Sequence, residues 1–338
     1  MIALLLALLW AGTAQATDGW RVMPGETIET IAVGLGDPDL APELRALNGL
    51  SATDQPVAGA ELRLPAPRGE LTRPHVLYLS GAVLATPPGQ PTAALGVGAY
   101  LAPGTTVCTG EGAFATLRLA ARQYSLEHDD INLLPGTCLT LERAEIDQNV
   151  RQSRVQVSRG SVSVRAVDAG AGRVTVRTPS GVTTGDQGGF RVTVETGAAR
   201  TEAVDGAVAV LGGGRSVRVG VGEGTRVRPG QVPDAPVPLL RPGPLATPKD
   251  GDLLLAPDFR WVAVDRALAY RVELSASEDF SEILMMEEVG EELWEPDRLF
   301  LPYRVPGLWW RVSPVDRAGY VGLPSRARSL AFPYGLGP

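Results

Sequence analysis

The chain has 338 residues, 44% of them hydrophobic, which is length for two or three domains and enough apolar content for a buried core. A net charge of −7 carries no basic footprint of a nucleic-acid binder, and 40 Gly with 28 Pro favour turns and linkers over long helices. Two histidines, His75 and His128, are too few for His-based zinc motifs.

The opening MIALLLALLWAGTAQA has the shape of a secretory leader. An apolar run from Ile2 to Trp10 leads through small residues to Ala14-Gln15-Ala16, an A-x-A cleavage signal, although Lys and Arg are missing ahead of the run. The run is too short to cross a bilayer, and no later stretch approaches the needed length. The expectation is a signal peptide at 1–16, cleaved near Ala16, and a mature periplasmic chain without a membrane span. In an oxidising compartment Cys108 and Cys138 could form a disulfide; two small buried thiols are the alternative, and spacing does not decide between them.

Residues 17–66 form the first module, and the stretch 17–74 carries a charge of −4. Trp20-Arg21-Val22 alternates like a short strand and stops at Pro24-Gly25. Thr27 can cap a helix in which Ile28, Ile31 and Ala32 recur at helical spacing, and Gly34 and Gly36 end it. Asp37-Pro38-Asp39 starts a second helix with Leu40, Leu44 and Leu47 on one face. Asn48-Gly49 closes it with residues that tolerate left-handed backbone. Glu61 to Pro65 alternates again and pairs with the first strand. The reading is βααβ, about 46 residues, marginal as an independent fold.

Trp20, Val22, Gly25-Glu26-Thr27-Ile28, Ile31-Ala32, Leu44 through Asn48 and Gly59 through Pro65 together resemble the LysM family. The spacing holds across both helices; Glu26 stands where the family has Asp, and Ile28 where it has Leu. The resemblance implies binding of N-acetylglucosamine glycans, peptidoglycan above all, in a shallow groove between two loops. One side would be Gly25, Glu26, Thr27 and Ile28, the other Asn48, Gly49, Leu50 and Ser51. The same residues also read as core (Ile28, Leu50) and helix cap (Thr27).

After a short linker at 67–74, residues 75–232 carry a charge of +2 and read as a succession of strands. VQVSRGSVSVRA (155–166), GRVTVRTPSG (172–181), GFRVTVETG (189–197), DGAVAVLGG (205–213) and RSVRVGVGEGTRV (215–227) each alternate Val with polar residues between Gly or Pro breaks. Outward Arg and Ser point to one solvated face per strand. Leu141 to Asn149 reads as an acidic helical turn. Ser80-Gly81-Ala82-Val83, Leu101-Ala102-Pro103-Gly104, Val157 through Val162, Val176 through Gly181 and Val204 through Val208 resemble the periplasmic domain of FecR-type proteins. Asp186-Gln187-Gly188-Gly189-Phe190 departs from that pattern. The resemblance implies an all-β fold and contacts with envelope proteins, with docking to a receptor or signalling partner as the alternative role. Sigma-factor control would need a membrane helix and a cytoplasmic segment, which this sequence does not show.

Residues 233–250 are Pro-rich and read as an extended linker. Residues 251–333 carry −5 and regain alternation, ahead of a short tail at 334–338. Phe259 and Trp261, then Tyr270, Val272 and Leu274, then Trp310 and Val312, followed by the turn Asp316-Arg317-Ala318-Gly319, resemble fibronectin type III-like and Ig-like modules. These aromatics are expected to be core anchors in a β-sandwich. The expected fold class is therefore multidomain and mainly β.

No Gly-x-Ser-x-Gly elbow is present. Gly212-Gly213-Gly214-Arg215-Ser216 has no lysine and opens no helix, so it reads as a hairpin turn. His128-Asp129-Asp130 and the run Glu287, Glu288, Glu291, Glu292, Glu295 read as a solvated turn and a solvated edge rather than metal sites. The sequence thus predicts a non-catalytic envelope protein with no cofactor, binding peptidoglycan and other envelope proteins, with no nucleic-acid partner.

Overall fold

A computed structural model with side chains describes residues 19–35, 38–65, 70–121, 128–147, 150–166, 172–253, 258–296 and 307–331. The leader at 1–16 and the tail at 334–338 lie outside the described residues. The architecture is mainly β.

In the first module, Gly19–Arg21 pairs antiparallel with Glu61–Arg63, placing Trp20 opposite Leu62. Helix Ile28–Gly34 starts at Thr27, whose side chain accepts from the Thr30 amide while the Thr30 hydroxyl accepts from the Thr27 amide. A 3-10 turn, Pro38–Leu40, leads into helix Ala41–Leu47. Trp20, Ile28, Ile31 and Leu44 are fully buried. Leu47, expected on the apolar stripe, is instead 41% exposed. So small a core is completed from outside: Val182 and Leu211 of the central unit pack into it.

The central unit is organised by one strand, Val150–Ala166. Its first half pairs antiparallel with Cys138–Asp147 and parallel with Gly172–Arg177. Its second half pairs with His128–Leu133 and Gly188–Glu195. The strand therefore belongs to two sheets, and Val155, Val157, Val162 and Val164 all enter one core between them. The crossing falls at Gly160, with φ +83°. A β-carbon there would lie 2.5 Å from the Thr137 Cα, so only glycine fits the bend. Cys108 and Cys138 face each other across neighbouring strands and are disulfide-bonded.

Two local expectations are corrected here. Residues 141–147 are strand, not a helical turn: Cys138–Asp147 shifts register between Leu141 and Arg143, so Leu141 and Ala144 are both buried three apart and mimic helical spacing. His128-Asp129-Asp130 begins the strand His128–Leu133 rather than a solvated turn, and both carboxylates are buried on arginine partners.

The expected linkers also contribute strands. Glu70–Leu71 pairs with Ile146 and Glu145, Val237–Pro238 with Glu223 and Gly224, and Leu245–Thr247 with Trp261 and Arg260. Short edge additions of this kind are what proline-interrupted chain can offer a sheet.

The C-terminal unit stacks a three-stranded sheet, Leu245–Thr247, Phe259–Trp261 and Leu293–Trp294, on a five-stranded one. The latter runs Asp252–Leu253, Arg328–Ala331, Leu308–Asp316, Ala267–Ser275, Ile283–Val289. Phe259, Trp261, Tyr270, Trp294 and Trp310 fill the core, with the Phe259 and Trp310 rings edge to face at 5.1 Å. Of the acidic run, Glu287 accepts from the Trp294 indole, Glu288 from Arg271 and Glu292 from the Tyr270 hydroxyl.

The polar strand faces are not solvated where the central and C-terminal units meet. Arg191, Arg200 and Glu202 on one side, and Arg271, Glu273 and Ser313 on the other, are buried. Arg191 donates to the Gly322 carbonyl at 2.6 Å, Asn132 to the Phe280 carbonyl at 2.8 Å, and Arg165 pairs with Asp279 at 2.6 Å. Alternation in one strand cannot reveal that another unit covers its polar face.

Candidate functional site

The two loops expected to form a groove meet at one corner of the first module. The link is Gln55, on the loop after the second helix: its side-chain oxygen accepts from the Ile28 amide at 3.3 Å. Arg45 braces the same loop, donating to the Ser51 carbonyl at 3.0 Å and to the Asp54 carbonyl, and pairs with Glu29 on the first helix. The Asp54 carboxylate in turn accepts from the Ser51 amide at 2.7 Å. These bonds tie a polar, exposed loop to the first helix.

The eight expected residues divide by role. Gly25, Gly49 and Ser51 are exposed, and Gly49 adopts φ +64° at the helix end. Thr27 and Leu50 are half-buried, the first occupied in capping and the second packed on the module core. Ile28 has no exposed side-chain surface and offers a ligand only the wall behind it. Asn48 is a clip: its amide donates to the Leu44 and Arg63 carbonyls, and its oxygen accepts from the Arg63 amide. Glu26 turns inward, accepting from the Trp20 indole at 2.9 Å and the Met23 amide at 2.8 Å, and burial raises its pKa. The accessible lining is therefore Gly25, Gly49 and Ser51 with Thr53, Asp54 and Gln55, small and polar groups of which Asp54 is charged. Gln55 and Arg45 were not found from the sequence. Neither breaks a periodic pattern, and their roles depend on how the loop folds back.

On its other side the first loop rests on the central unit. A β-carbon at Gly25 would lie 3.1 Å from the Gly213 Cα, and one at Gly230 would lie 3.3 Å from Pro24. Gly213 and Gly214 form the turn between Val208–Gly212 and Arg215–Val219, as the sequence predicts for a hairpin. The corner is thus held from behind by a glycine turn of the neighbouring unit.

Among the described residues, no group of three or more His, Cys, Asp or Glu side chains is placed to hold a metal ion, and no helix is long and apolar enough to cross a membrane.

No protein-family model and no curated protein matches the chain. Two crystal structures of a protein from Parabacteroides distasonis ATCC 8503, described as a "putative anti-sigma factor", are similar at a TM-score of 0.30. Their sequence identities are 14% and 15%, over 41% of this chain and 68% of theirs. A likeness of that strength does not bear on function.

Proposed function

We propose that the protein is an exported, non-catalytic envelope protein whose first module binds peptidoglycan glycan in the manner of a LysM module. The observation that carries this reading is the corner at which Gln55 joins the loop after the second helix to the start of the first. There Gly25, Gly49, Ser51, Thr53 and Gln55 expose backbone and neutral polar groups along a shallow surface. Acetamido and hydroxyl groups of an amino-sugar chain offer both donors and acceptors to such a surface, whose charged neighbours are engaged locally, Arg45 with Glu29 and Asp54 with the Ser51 amide.

The central and C-terminal units present β surfaces to other envelope proteins, in the manner of FecR-type and fibronectin type III-like domains. The three-against-five strand arrangement and its aromatic core support the latter likeness. Hydrogen bonds from arginine side chains to main-chain carbonyls across both junctions support a fixed presentation of all three units. Titration of the protein with soluble N-acetylglucosamine oligomers, followed by amide NMR, tests the glycan reading. Shifts centred on Gly49 through Gln55 are expected; shifts absent from that loop would count against it.

A further inference from the structure

Between the central and C-terminal units lies a cleft of about 690 Å³, a volume suited to a small molecule and placed where ligand sites commonly occur, at a domain boundary. Its lining includes Arg191 and Phe190 from the central unit and Arg271, Phe280, Arg311 and Ser313 from the C-terminal unit. The charged groups are unevenly satisfied. Arg311 bonds Glu273 at 2.6 Å and lies over the Phe280 ring at 3.8 Å. Arg271 bonds Glu288 at 3.1 and 2.7 Å. Arg191, with 9% exposure, donates only through Nη2, to the Gly322 carbonyl, and its Nε has no partner among the described residues. A guanidinium has five N–H donors, so most of its capacity is unused. The Ser313 hydroxyl on the facing wall is fully buried and also without a partner among the described residues.

We propose that this cleft binds the free carboxylate of a small molecule with an apolar body, with Arg191 as the principal anchor and Ser313 as a second donor.

Unfilled donors on opposite walls call for an acceptor, and a carboxylate bonded to a guanidinium is among the stronger such pairs in a desolvated setting. The lining carries four guanidinium groups; Arg165, Arg271 and Arg311 are each paired with a carboxylate, which leaves Arg191 as the cation with donors to spare for an anion. Four carboxylates in the same lining, Asp130, Asp205, Glu273 and Asp279, disfavour a ligand with more than one negative charge. Phe190, Phe280, Val221 and Pro324 supply apolar surface for the rest of the molecule. Burial holds Arg191 down to about 10, against the opposing pull of Glu202, its cross-strand neighbour, so the group remains charged at neutral pH. The site is separate from the glycan corner and does not depend on it.

Calorimetric titration of the intact protein with N-acetyl-phenylalanine, and with its uncharged amide, tests the proposal. The acid is expected to bind with one-to-one stoichiometry and the amide at least about tenfold more weakly, the difference of one charge-assisted bond. Ser313→Ala should weaken the acid by about three- to tenfold, a loss in the range of one hydrogen bond, and leave the amide unchanged. Arg191→Gln should remove the preference for the acid. Should that variant fail to fold, the acid-to-amide comparison on the unaltered chain and the Ser313→Ala variant decide the matter. Equal affinity for acid and amide, no binding of either at about 10 mM, or an acid affinity untouched by Ser313→Ala would overturn the proposal.

Discussion

The Arg177 guanidinium lies 3.7 Å from the centre of the Trp20 ring, and its Nη2 donates to the Arg21 carbonyl at 3.0 Å. Trp20 is fully buried in the first module, whereas Arg177 ends a strand of the central unit. Glu142 holds both Arg177 and Arg154, and Arg154 lies 6.0 Å from the same ring. The module is therefore fastened by a cation on an aromatic face, by that side chain's hydrogen bond to a main-chain carbonyl and by the shared core at Val182 and Leu211.

Arg177→Ala should loosen this junction first. A desolvated cation–π contact contributes about 2 kcal/mol, and a buried hydrogen bond from a charged group about as much, so a loss of roughly 2–4 kcal/mol is expected. Hydrogen exchange should show the Val22 amide losing protection while that of Val157 in the central core holds. Arg177→Lys should recover only part of the loss, because an ammonium does not stack as a planar guanidinium does.

Gly160→Ala should be severe for its size. The position needs φ +83°, and the new methyl would collide with Thr137 backbone where the long strand passes between sheets. A loss of about 3 kcal/mol or more in urea unfolding is expected. Gly49→Ala shares a positive φ but meets nothing within 4 Å among the described residues, so it should cost only about 1 kcal/mol.

Asp129 and Asp130 are adjacent and shift in opposite directions. Burial raises Asp129 from 3.8 to about 6, outweighing its bonds from Arg151 and Ser153. Burial also acts on Asp130, but hydrogen bonds from His128 and Arg118 prevail and hold its pKa below the usual carboxylate value. A raised carboxylate takes up its proton in the folded state before the unfolded one does. The contribution of Asp129 to stability therefore grows as pH falls from about 6 to about 4, by up to about 3 kcal/mol. That of Asp130 is fully present above about 4 and lost only below it. Asp129→Asn should remove the gain between pH 7 and pH 4.5, read as the difference in urea midpoint at those two values. An unchanged difference would contradict the assignment.

The sequence pattern carried much of this architecture. The Thr27 cap, the Ala41–Leu47 helix ending at Asn48-Gly49, the Val-alternating strands and the aromatic core of the last unit all rest on local periodicity and turn chemistry. What periodicity missed has a physical cause. A bulge between Leu141 and Arg143 converted strand spacing into apparent helix spacing. Arg191, Arg271 and Ser313 alternate like solvated residues because the surface covering them belongs to a different unit. Within the corner, sequence position alone could not separate the outward Gly49 and Ser51 from the inward Glu26 and Ile28. It gave no sign of Gln55, whose place is fixed only by the return of its loop.

The most direct measurement is co-sedimentation of the intact protein with purified peptidoglycan. Because the first-module core includes Val182 and Leu211, removing residues 17–66 would uncover apolar surface on the central unit, so a point variant is the cleaner comparison. Ser51→Trp places a bulky side chain on an exposed wall of the corner, and Gln90→Trp places the same group on an exposed turn of the central unit. The unaltered protein and Gln90→Trp should pellet with the wall material, and Ser51→Trp should lose binding by about tenfold or more, as expected where a few positions dominate an interface. Equal pelleting of all three, or no pelleting of the unaltered protein, would contradict the glycan-binding account.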